Sequence, residues 1–211
     1  MTVTDISEYS KSKYKVFLND AFAFVLYKGD LRKYGIEIGR ELSDNEIDII
    51  ISEVLVKRAK LYALHLLEKR DYTVKSMRDK LKERLYPDNV TDEAMEYVLS
   101  YHYVDDKRYA MAYINSHVSS MSKRQITEKL RLKGIGADII NTCLDEYLED
   151  NGDVFDEQLY RLMKKLCVGI DITSLEYMDK QKLFAKLYRK GYSIEKIEKA
   201  YRKCVEDEQE K

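Results

Sequence analysis

The feature that most constrains the fold is a short motif that occurs three times along the chain. Lys129–Ile135 and Lys186–Tyr192 share a Lys-Leu pair, a basic residue three positions after the leucine, and then a glycine. Lys80–Arg84 has the same pattern without the glycine. A glycine in this place ends a helix in the left-handed conformation, and the leucine then contacts the residue after the glycine. The recurrence therefore predicts tandem helical units that stack on their neighbours.

Each unit is predicted to contain three helices: an apolar one, a basic one that carries the motif, and a closing one. Ile140 and Ile197 both lie six residues after their motif glycine, so the closing helices stay in phase. The third unit has a longer insert, which we place at Val168–Tyr177. We predict a mainly α fold, an elongated tandem array of three-helix repeats with an N-terminal β-hairpin extension. The predicted boundaries are 1–56 for the extension and 57–104, 105–150 and 151–211 for the three repeats.

The N-terminal extension has the alternating pattern of a hairpin. Apolar residues alternate on either side of Asn19 and Asp20, two residues that tolerate the positive φ of a two-residue turn. A lone hairpin is marginal in water, so it must pack on the helices or pair with another strand. Two interpretations follow: a small sheet that caps the helical body, or an exposed edge that binds a partner strand. The alternating residues are Tyr14, Val16 and Leu18 before the turn and Phe22, Phe24 and Leu26 after it.

Capping patterns predict where the helices begin and end. Ser43 and Glu46 form a capping box that begins one long helix reaching Arg70, or two helices joined by a kink. Ser122 and Gln125 form a second capping box. Further helix starts are predicted at Thr73, Thr91 and Asp105, and helix ends at Gly134, Asn151-Gly152 and Gly191.

Charge is nearly balanced over the whole chain but unevenly distributed. There are 37 basic and 38 acidic residues. The three motif helices, Lys75–Arg84, Lys123–Lys133 and Lys180–Lys190, each carry five cations, against two, one and no acidic residues respectively. The recurrence indicates either a positive ridge that binds a polyanion, such as DNA phosphates or an acidic protein surface, or three ordinary solvated helix faces. The candidate binding residues are Lys75, Arg78, Lys80, Lys82, Arg84, Lys123, Arg124, Lys129, Arg131, Lys133, Lys180, Lys182, Lys186, Arg189 and Lys190.

Sequence motifs of enzyme chemistry are absent. The chain has no Gly-rich P-loop, no His-Glu-x-x-His pair, and no nearby partner that marks a cysteine as a nucleophile. Asp105 and Asp106 are explained as a helix cap and a first-turn acid rather than as metal ligands. We therefore expect no cofactor, no metal and no enzymatic activity.

Two further features predict a cytoplasmic protein. No run of eighteen apolar residues could span a membrane, and the N-terminus lacks the pattern of a secretory signal. The three cysteines, Cys143, Cys167 and Cys204, are scattered and odd in number, so we expect reduced thiols.

Three segments of the first two repeats carry a family resemblance: Ala63–Arg70, the Asp-Asp-x-Arg-Tyr-Ala segment within Tyr103–Ala110, and Ile126–Ile135. Together they resemble the RecX regulatory family. The third repeat fits more loosely, and the hairpin resembles an extension of longer members. Leu85-Tyr86 stands where the first repeat often has Lys-Gly, and Met77 stands where an acid is frequent. The motif residues for which the resemblance implies a structural role are Asp105, Asp106, Arg108, Tyr109, Gly134 and Gly191.

The resemblance implies a non-enzymatic modulator of the recombinase RecA in homologous recombination and DNA repair. Members of the family dock along the groove of the RecA–DNA filament and generally lower strand exchange, ATP hydrolysis and the co-protease activity of the SOS response. The implied partners are the RecA filament and DNA without sequence preference, and we expect the chain to be a monomer. Two alternatives stay open at this point: a DNA-binding module that acts without RecA, and a helical adaptor for another protein.

Overall fold

The computed structural model describes residues 1–210, which form two compact units: Met1–Asp105 and a second unit that begins at Asp106. Each unit buries its own apolar core. The predicted mainly α fold with three-helix repeats is confirmed, and the N-terminal extension, predicted as a β-hairpin, forms an antiparallel sheet. None of the helices in residues 1–210 is both long and apolar enough to cross a bilayer.

The N-terminal sheet has three antiparallel strands where the sequence predicted two. The turn between the second and third strands is the predicted one, with Asn19 at φ 49° and Asp20 at φ 66°. The first strand escaped prediction because Val3 is its only fully buried residue, so its sequence lacks the alternation that marks the other two. The strands, in their order across the sheet, are β1 (Val3–Ser10), β2 (Lys13–Leu18) and β3 (Ala21–Tyr27).

The sheet caps the helices of the first unit, as the first of the two interpretations predicts. Its apolar face joins a single core with those helices, so the sheet gains from tertiary packing the stability that an isolated hairpin lacks. The residues on this face are Val16, Leu18, Phe24 and Leu26.

The predicted long helix after Ser43 is continuous and contains a wider turn. The hydroxyl of Ser43 accepts from the backbone N–H of Glu46 at 3.3 Å, and the Glu46 carboxylate accepts from the N–H of Ser43 at 2.9 Å. This reciprocal pair is the predicted capping box. The wider turn buries three consecutive residues, Val54, Leu55 and Val56. After the short α1 (Lys28–Lys33), the successive parts are α2 (Asp44–Ile50), a π-helical segment (Ile51–Val56) and α3 (Lys57–Leu67).

The first repeat is completed by two shorter helices, α4 (Val74–Glu83) and α5 (Asp88–Ser100). Thr73 caps α4 as predicted. The predicted start of the next helix at Thr91 is wrong: Pro87 is the N-cap, and the helix begins at Asp88, three residues before Thr91. Proline has a fixed φ that suits a helix start and needs no backbone hydrogen bond there, and Thr91 is buried within the helix.

The second unit contains two three-helix sets with separate cores. The predicted insert in the third repeat coincides with the link between the first two helices of that repeat, which contains a 3-10 turn at Ile172–Ser174. The predicted helix end at Gly152 is confirmed by its φ of 68°. The helices are α6 (Asp106–His117), α7 (Lys123–Leu132), α8 (Ala137–Asn151), α9 (Val154–Leu166), α10 (Tyr177–Arg189) and α11 (Ile194–Gln209).

The motif glycines end their helices as the sequence predicted. Gly134 and Gly191 have φ values of 86° and 94°. The N–H of Ile135 donates to the carbonyl of Leu130 at 3.2 Å, which is the six-to-one bond of a Schellman turn. In the first repeat Leu85 occupies the same place at φ 59°, so the turn forms there without a glycine.

The turn at Gly191 also joins the second and third repeats. The Ser122 hydroxyl, which caps α7, donates to the carbonyl of Lys190 at 2.7 Å. A Cβ on Gly191 would lie 2.8 Å from that hydroxyl and 3.1 Å from the Cβ of Arg124. Both the left-handed backbone and this close approach therefore require glycine at position 191.

Candidate functional site

The candidate site consists of the three basic motif helices, α4, α7 and α10. Each turns its motif leucine into the core, and Leu81, Leu130 and Leu187 are all fully buried. The intervening cations consequently lie on the outer faces of the helices, where they are available to a partner or to nearby carboxylates. The fraction of cations that pair with nearby carboxylates differs among the repeats.

Carboxylates of the same repeat compensate most of the charge on α4. Lys80 Nζ lies 2.6 Å from the carboxylate of Glu83, and Lys82 Nζ lies 3.0 Å from that of Asp88. Arg78 pairs in the same way with Asp92. Exposed ion pairs add little stability, but each carboxylate cancels the field of its cation.

The second basic helix, α7, keeps more of its charge. Arg124 Nε lies 3.0 Å from the Glu128 carboxylate, and Lys123 Nζ lies 3.7 Å from that of Asp145. Lys129 and Arg131 are exposed and form no ion pair within residues 1–210. The charges of Lys129 and Arg131 are therefore uncompensated.

The third basic helix, α10, behaves like α7. Lys182 Nζ lies 2.8 Å from Asp179, and Lys180 Nζ lies 4.5 Å from the centroid of the Tyr201 ring. The side chains of Lys186 and Lys190 are exposed and contact no carboxylate, ring or backbone carbonyl in the described part of the chain, whereas Arg189 Nε donates to the Ala185 carbonyl at 3.3 Å. With Lys129 and Arg131, Lys186 and Lys190 form a set that we call the four uncompensated cations of the second unit.

Two cation positions are common to all three repeats. Lys80, Lys129 and Lys186 directly precede the motif leucine, and only the first of them is paired with a carboxylate. The position three residues after the leucine holds Arg84, Lys133 and Lys190.

Tyrosine rings hold two of these last three side chains. The Arg84 guanidinium lies 4.8 Å from the centroid of Tyr62, and Lys133 Nζ lies 5.4 Å from that of Tyr109. In both cases the ring belongs to the first helix of the same repeat. Contacts of this kind fix a cation without cancelling its charge.

A groove of about 430 Å³ brings candidate residues of α7 together with the turn that follows α10. Arg124 and Arg131 line it from one side, and Gly191 and Lys196 from the other. Lys196 is held by Asp153 at 3.2 Å and Asp156 at 2.6 Å. Burial favours the neutral form of Lys196, but the hydrogen bonds to these carboxylates outweigh burial and raise its pKa. Its charge is thus compensated within the third repeat.

Five of the six family-motif residues lie at the start of α6 or in the turn after α7. Asp105 directly precedes α6, Asp106 is its first residue, and Arg108 is exposed on its first turn. Tyr109 is half-buried beneath Lys133, and Gly134 forms the turn after α7. Of these residues, Tyr109 contacts a cation of α7 and Gly134 ends that helix, whereas Asp105, Asp106 and Arg108 belong to the start of α6.

No metal-binding or disulfide chemistry accompanies the site in the described residues. Residues 1–210 contain no cluster of three or more metal-ligating side chains, and none of the three cysteines forms a disulfide. Burial raises the pKa of the Cys167 and Cys204 thiols, which favours their protonated form.

Sequence reasoning missed the carboxylates that neutralise α4. Glu83 stands three residues after Lys80, so that pair was readable from helical spacing. Asp88 and Asp92 come from the next helix, and only the packing of α5 on α4 reveals them as partners.

Comparisons with known proteins agree with this architecture. A model described as the first three-helix domain of RecX matches residues 59–97, and one described as the second three-helix domain matches residues 105–144. A regulatory protein RecX from Caldanaerobacter subterraneus subsp. tengcongensis is 30% identical over 202 residues, which cover 95% of this chain and 98% of that protein. The chain belongs to the RecX family.

Other matches to RecX proteins cover from 72% to 98% of this chain. The regulatory protein RecX of Clostridium beijerinckii is 28% identical over 218 residues, with 97% of this chain and 95% of that protein covered. A crystal structure of a regulatory protein RecX superposes with a TM-score of 0.63 at 23% identity over 98% of both chains. The RecX structure from Lactobacillus salivarius also has a TM-score of 0.63, at 21% identity, and covers 72% of this chain and 97% of its own. These two structures share the fold.

Proposed function

We propose that this RecX-family chain is a non-enzymatic regulator that binds the RecA–DNA filament and inhibits the recombinase, ATPase and co-protease activities of RecA. The observation that carries the proposal is the set of four uncompensated cations: Lys129, Arg131, Lys186 and Lys190. Cations without local carboxylates attract a polyanion, and DNA phosphates and acidic protein surfaces are both polyanions. Such a regulator acts as a monomer in the cytoplasm, where RecA works on DNA.

The proposal also assigns roles along the chain. The N-terminal extension is residues 1–56, and the three repeats are residues 57–104, 105–150 and 151–211. The second and third repeats supply the uncompensated charge, and the first supplies a largely neutral helix face. The fifteen candidate cations therefore contribute unequally, with those of α7 and α10 ahead of those of α4.

The test is DNA-dependent ATP hydrolysis by RecA, measured with this chain at substoichiometric amounts. The wild-type chain lowers the rate of hydrolysis. For a variant with Lys129, Arg131, Lys186 and Lys190 all changed to Gln, about tenfold more protein is required for the same inhibition, because the contacts of these four cations with the anionic surface of the filament are lost. A rate that stays constant at every ratio of the wild-type chain contradicts the proposal.

A charge-matched control separates surface location from net charge. The control changes four exposed cations that lie outside the basic helices and form no ion pair in residues 1–210. This control variant inhibits RecA as strongly as the wild-type chain if inhibition depends on where the cations lie rather than on net charge. The control substitutions are Lys11→Gln, Lys28→Gln, Lys69→Gln and Arg202→Gln.

A second candidate function is direct binding of DNA without RecA, which the same unpaired cations favour. The measurement is the affinity for bare duplex DNA at several salt concentrations. Replacement of Lys123, Arg124, Arg131 and Lys133 flattens the salt dependence if this function is correct, since each lost phosphate contact lowers the slope by about 0.9. An unchanged slope excludes α7 as the contact.

A further inference from the structure

A cleft between the sheet and the helices of the first unit is not used by the proposed function. It has a volume of about 590 Å³. β2 and β3 contribute Lys13 and Tyr27, α3 contributes Arg58 and Tyr62, and α4 ends beside it at Arg84. Of these residues, only Arg84 belongs to the basic motif helices.

The cleft is positively charged. No Asp or Glu lines it among the residues described. Arg58 donates two hydrogen bonds to Asp30, at 2.5 and 2.9 Å, and the Asp30 carboxylate cancels its charge from beneath the cleft. Lys13 and Arg84 have no carboxylate partner within residues 1–210, so a net charge of +2 remains.

Aromatic rings hold the cations of the cleft in place. Lys13 Nζ lies 5.1 Å and the Arg58 guanidinium carbon 4.6 Å from the centroid of Tyr27. Arg84 lies 4.8 Å from the centroid of Tyr62. A cation on a ring loses less freedom when an anion binds, so these two rings preorganise the charged groups.

Apolar surface is exposed beside the charge. Leu61 is 66% exposed and Tyr27 is 39% exposed, and both line the cleft. An acidic peptide would use the cations and leave this apolar surface in water. Duplex DNA presents phosphates but keeps its base faces stacked inside. A single strand presents both phosphates and flat base faces, which match both kinds of surface.

We propose that this cleft binds a short segment of single-stranded nucleic acid. Lys13 and Arg84 contact phosphates, and a base packs against Leu61 and the neighbouring tyrosine rings. The segment is bound without sequence preference, because every base has a face that can stack. The proposal goes beyond filament regulation, and it can be tested with no recombinase present.

The experiment measures binding of a fluorescently labelled oligothymidylate of about 12 nucleotides to the full chain. The Lys13→Gln, Arg84→Gln double variant binds about tenfold more weakly, and the slope of its salt dependence falls by about 1.4, since about 0.7 is lost per single-strand phosphate contact. The matched control is Lys11→Gln with Lys69→Gln, two exposed lysines that do not line the cleft. This control keeps wild-type affinity and slope. Circular dichroism confirms that both variants fold.

Two further arms test the base contact. The Leu61→Ser variant weakens binding about threefold without changing the salt slope, because it removes apolar surface and no charge. An abasic oligomer of the same length and phosphate number binds more weakly than the oligothymidylate.

Three results would overturn the cleft proposal. The first is an equal loss of affinity in the two double variants. The second is an abasic oligomer that binds as tightly as the oligothymidylate. The third is a polyglutamate peptide that binds the cleft in preference to the oligothymidylate. The last result would assign the cleft to an acidic protein segment. None of these outcomes affects the RecA assay of the proposed function, so the two proposals fail separately.

Discussion

The first basic helix and the two later ones share a sequence pattern but differ in electrostatic character. Within residues 1–210, three of the five cations of α4 pair with carboxylates of their own repeat, against two of α7 and one of α10. The difference arises from the closing helix. α5 begins with Asp88 and has Asp92 one turn later, both within reach of α4. A repeated cluster of lysines therefore predicts a binding surface only when the facing helix is also considered.

The turns that follow the basic helices also differ between the first and the third repeat. Gly191 touches a neighbouring repeat, whereas Leu85 forms the equivalent turn with a left-handed leucine. Gly191→Ala should lower the free energy of unfolding by about 3 kcal/mol, because it combines left-handed strain with a clash at Ser122. Leu85→Ala should cost about 1 kcal/mol, since the backbone strain there is already present. Urea unfolding followed by circular dichroism measures both, and equal losses would contradict the contact between repeats.

The first unit extends its charge compensation into the interior through Asp30 and Arg58. Asp30→Asn should lower the free energy of unfolding by about 2 kcal/mol, because it leaves the half-buried guanidinium without a charged acceptor. Arg202→Gln, on an exposed face of α11, is the control and should leave the free energy of unfolding unchanged within about 0.5 kcal/mol. A loss no greater than that of the control would show that the pair contributes no stability.

The same pair predicts a pH dependence. Burial acts to raise the pKa of Asp30, but hydrogen bonds from Arg58 and from the Tyr27 backbone outweigh it and hold the pKa below its usual value. A carboxyl with a lowered pKa in the folded state contributes stability above its ordinary pKa of about 3.9, and this contribution is lost as the pH falls through the lowered value. Wild-type and Asp30→Asn chains should therefore approach each other in stability below about pH 4. A constant difference down to acidic pH would contradict this.

Removal of the compensating acids should convert α4 into a helix like α7. Asp88→Asn with Asp92→Asn frees Lys82 and Arg78, and the affinity for duplex DNA should rise about threefold with a steeper salt dependence. Glu195→Gln with Glu198→Gln, on exposed positions of α11, makes the same change in net charge and serves as the control. An equal gain in both variants would mean that only net charge matters.

Local signals in the sequence predicted much of this structure. The glycine turns, both capping boxes and the Asn19-Asp20 turn depend on a few adjacent residues, so they were readable. The start of α5 was misplaced because Thr91 and Pro87 are both plausible starts and sequence alone does not rank them. β1 was missed because a mostly exposed strand carries no alternation.

The site was less predictable than the fold. The candidate cations could be named from their recurrence, but their availability depends on contacts between residues far apart in the chain. Arg78 with Asp92 and Lys123 with Asp145 are pairs of this kind. The cleft proposed to bind a single strand also combines strands with helices, and no spacing in the sequence brings Lys13 near Arg84.

One experiment compares paired and unpaired cations of the basic motif helices directly. Lys80→Gln with Lys82→Gln removes two paired cations from α4, and Lys186→Gln with Lys190→Gln removes two unpaired ones from α10, so both variants change the net charge equally. Binding of each variant to RecA filaments on single-stranded DNA should weaken about fivefold for the α10 variant and less than about twofold for the α4 variant. Equal weakening, or a greater loss for the α4 variant, would contradict the account in which unpaired cations on the later repeats hold the filament.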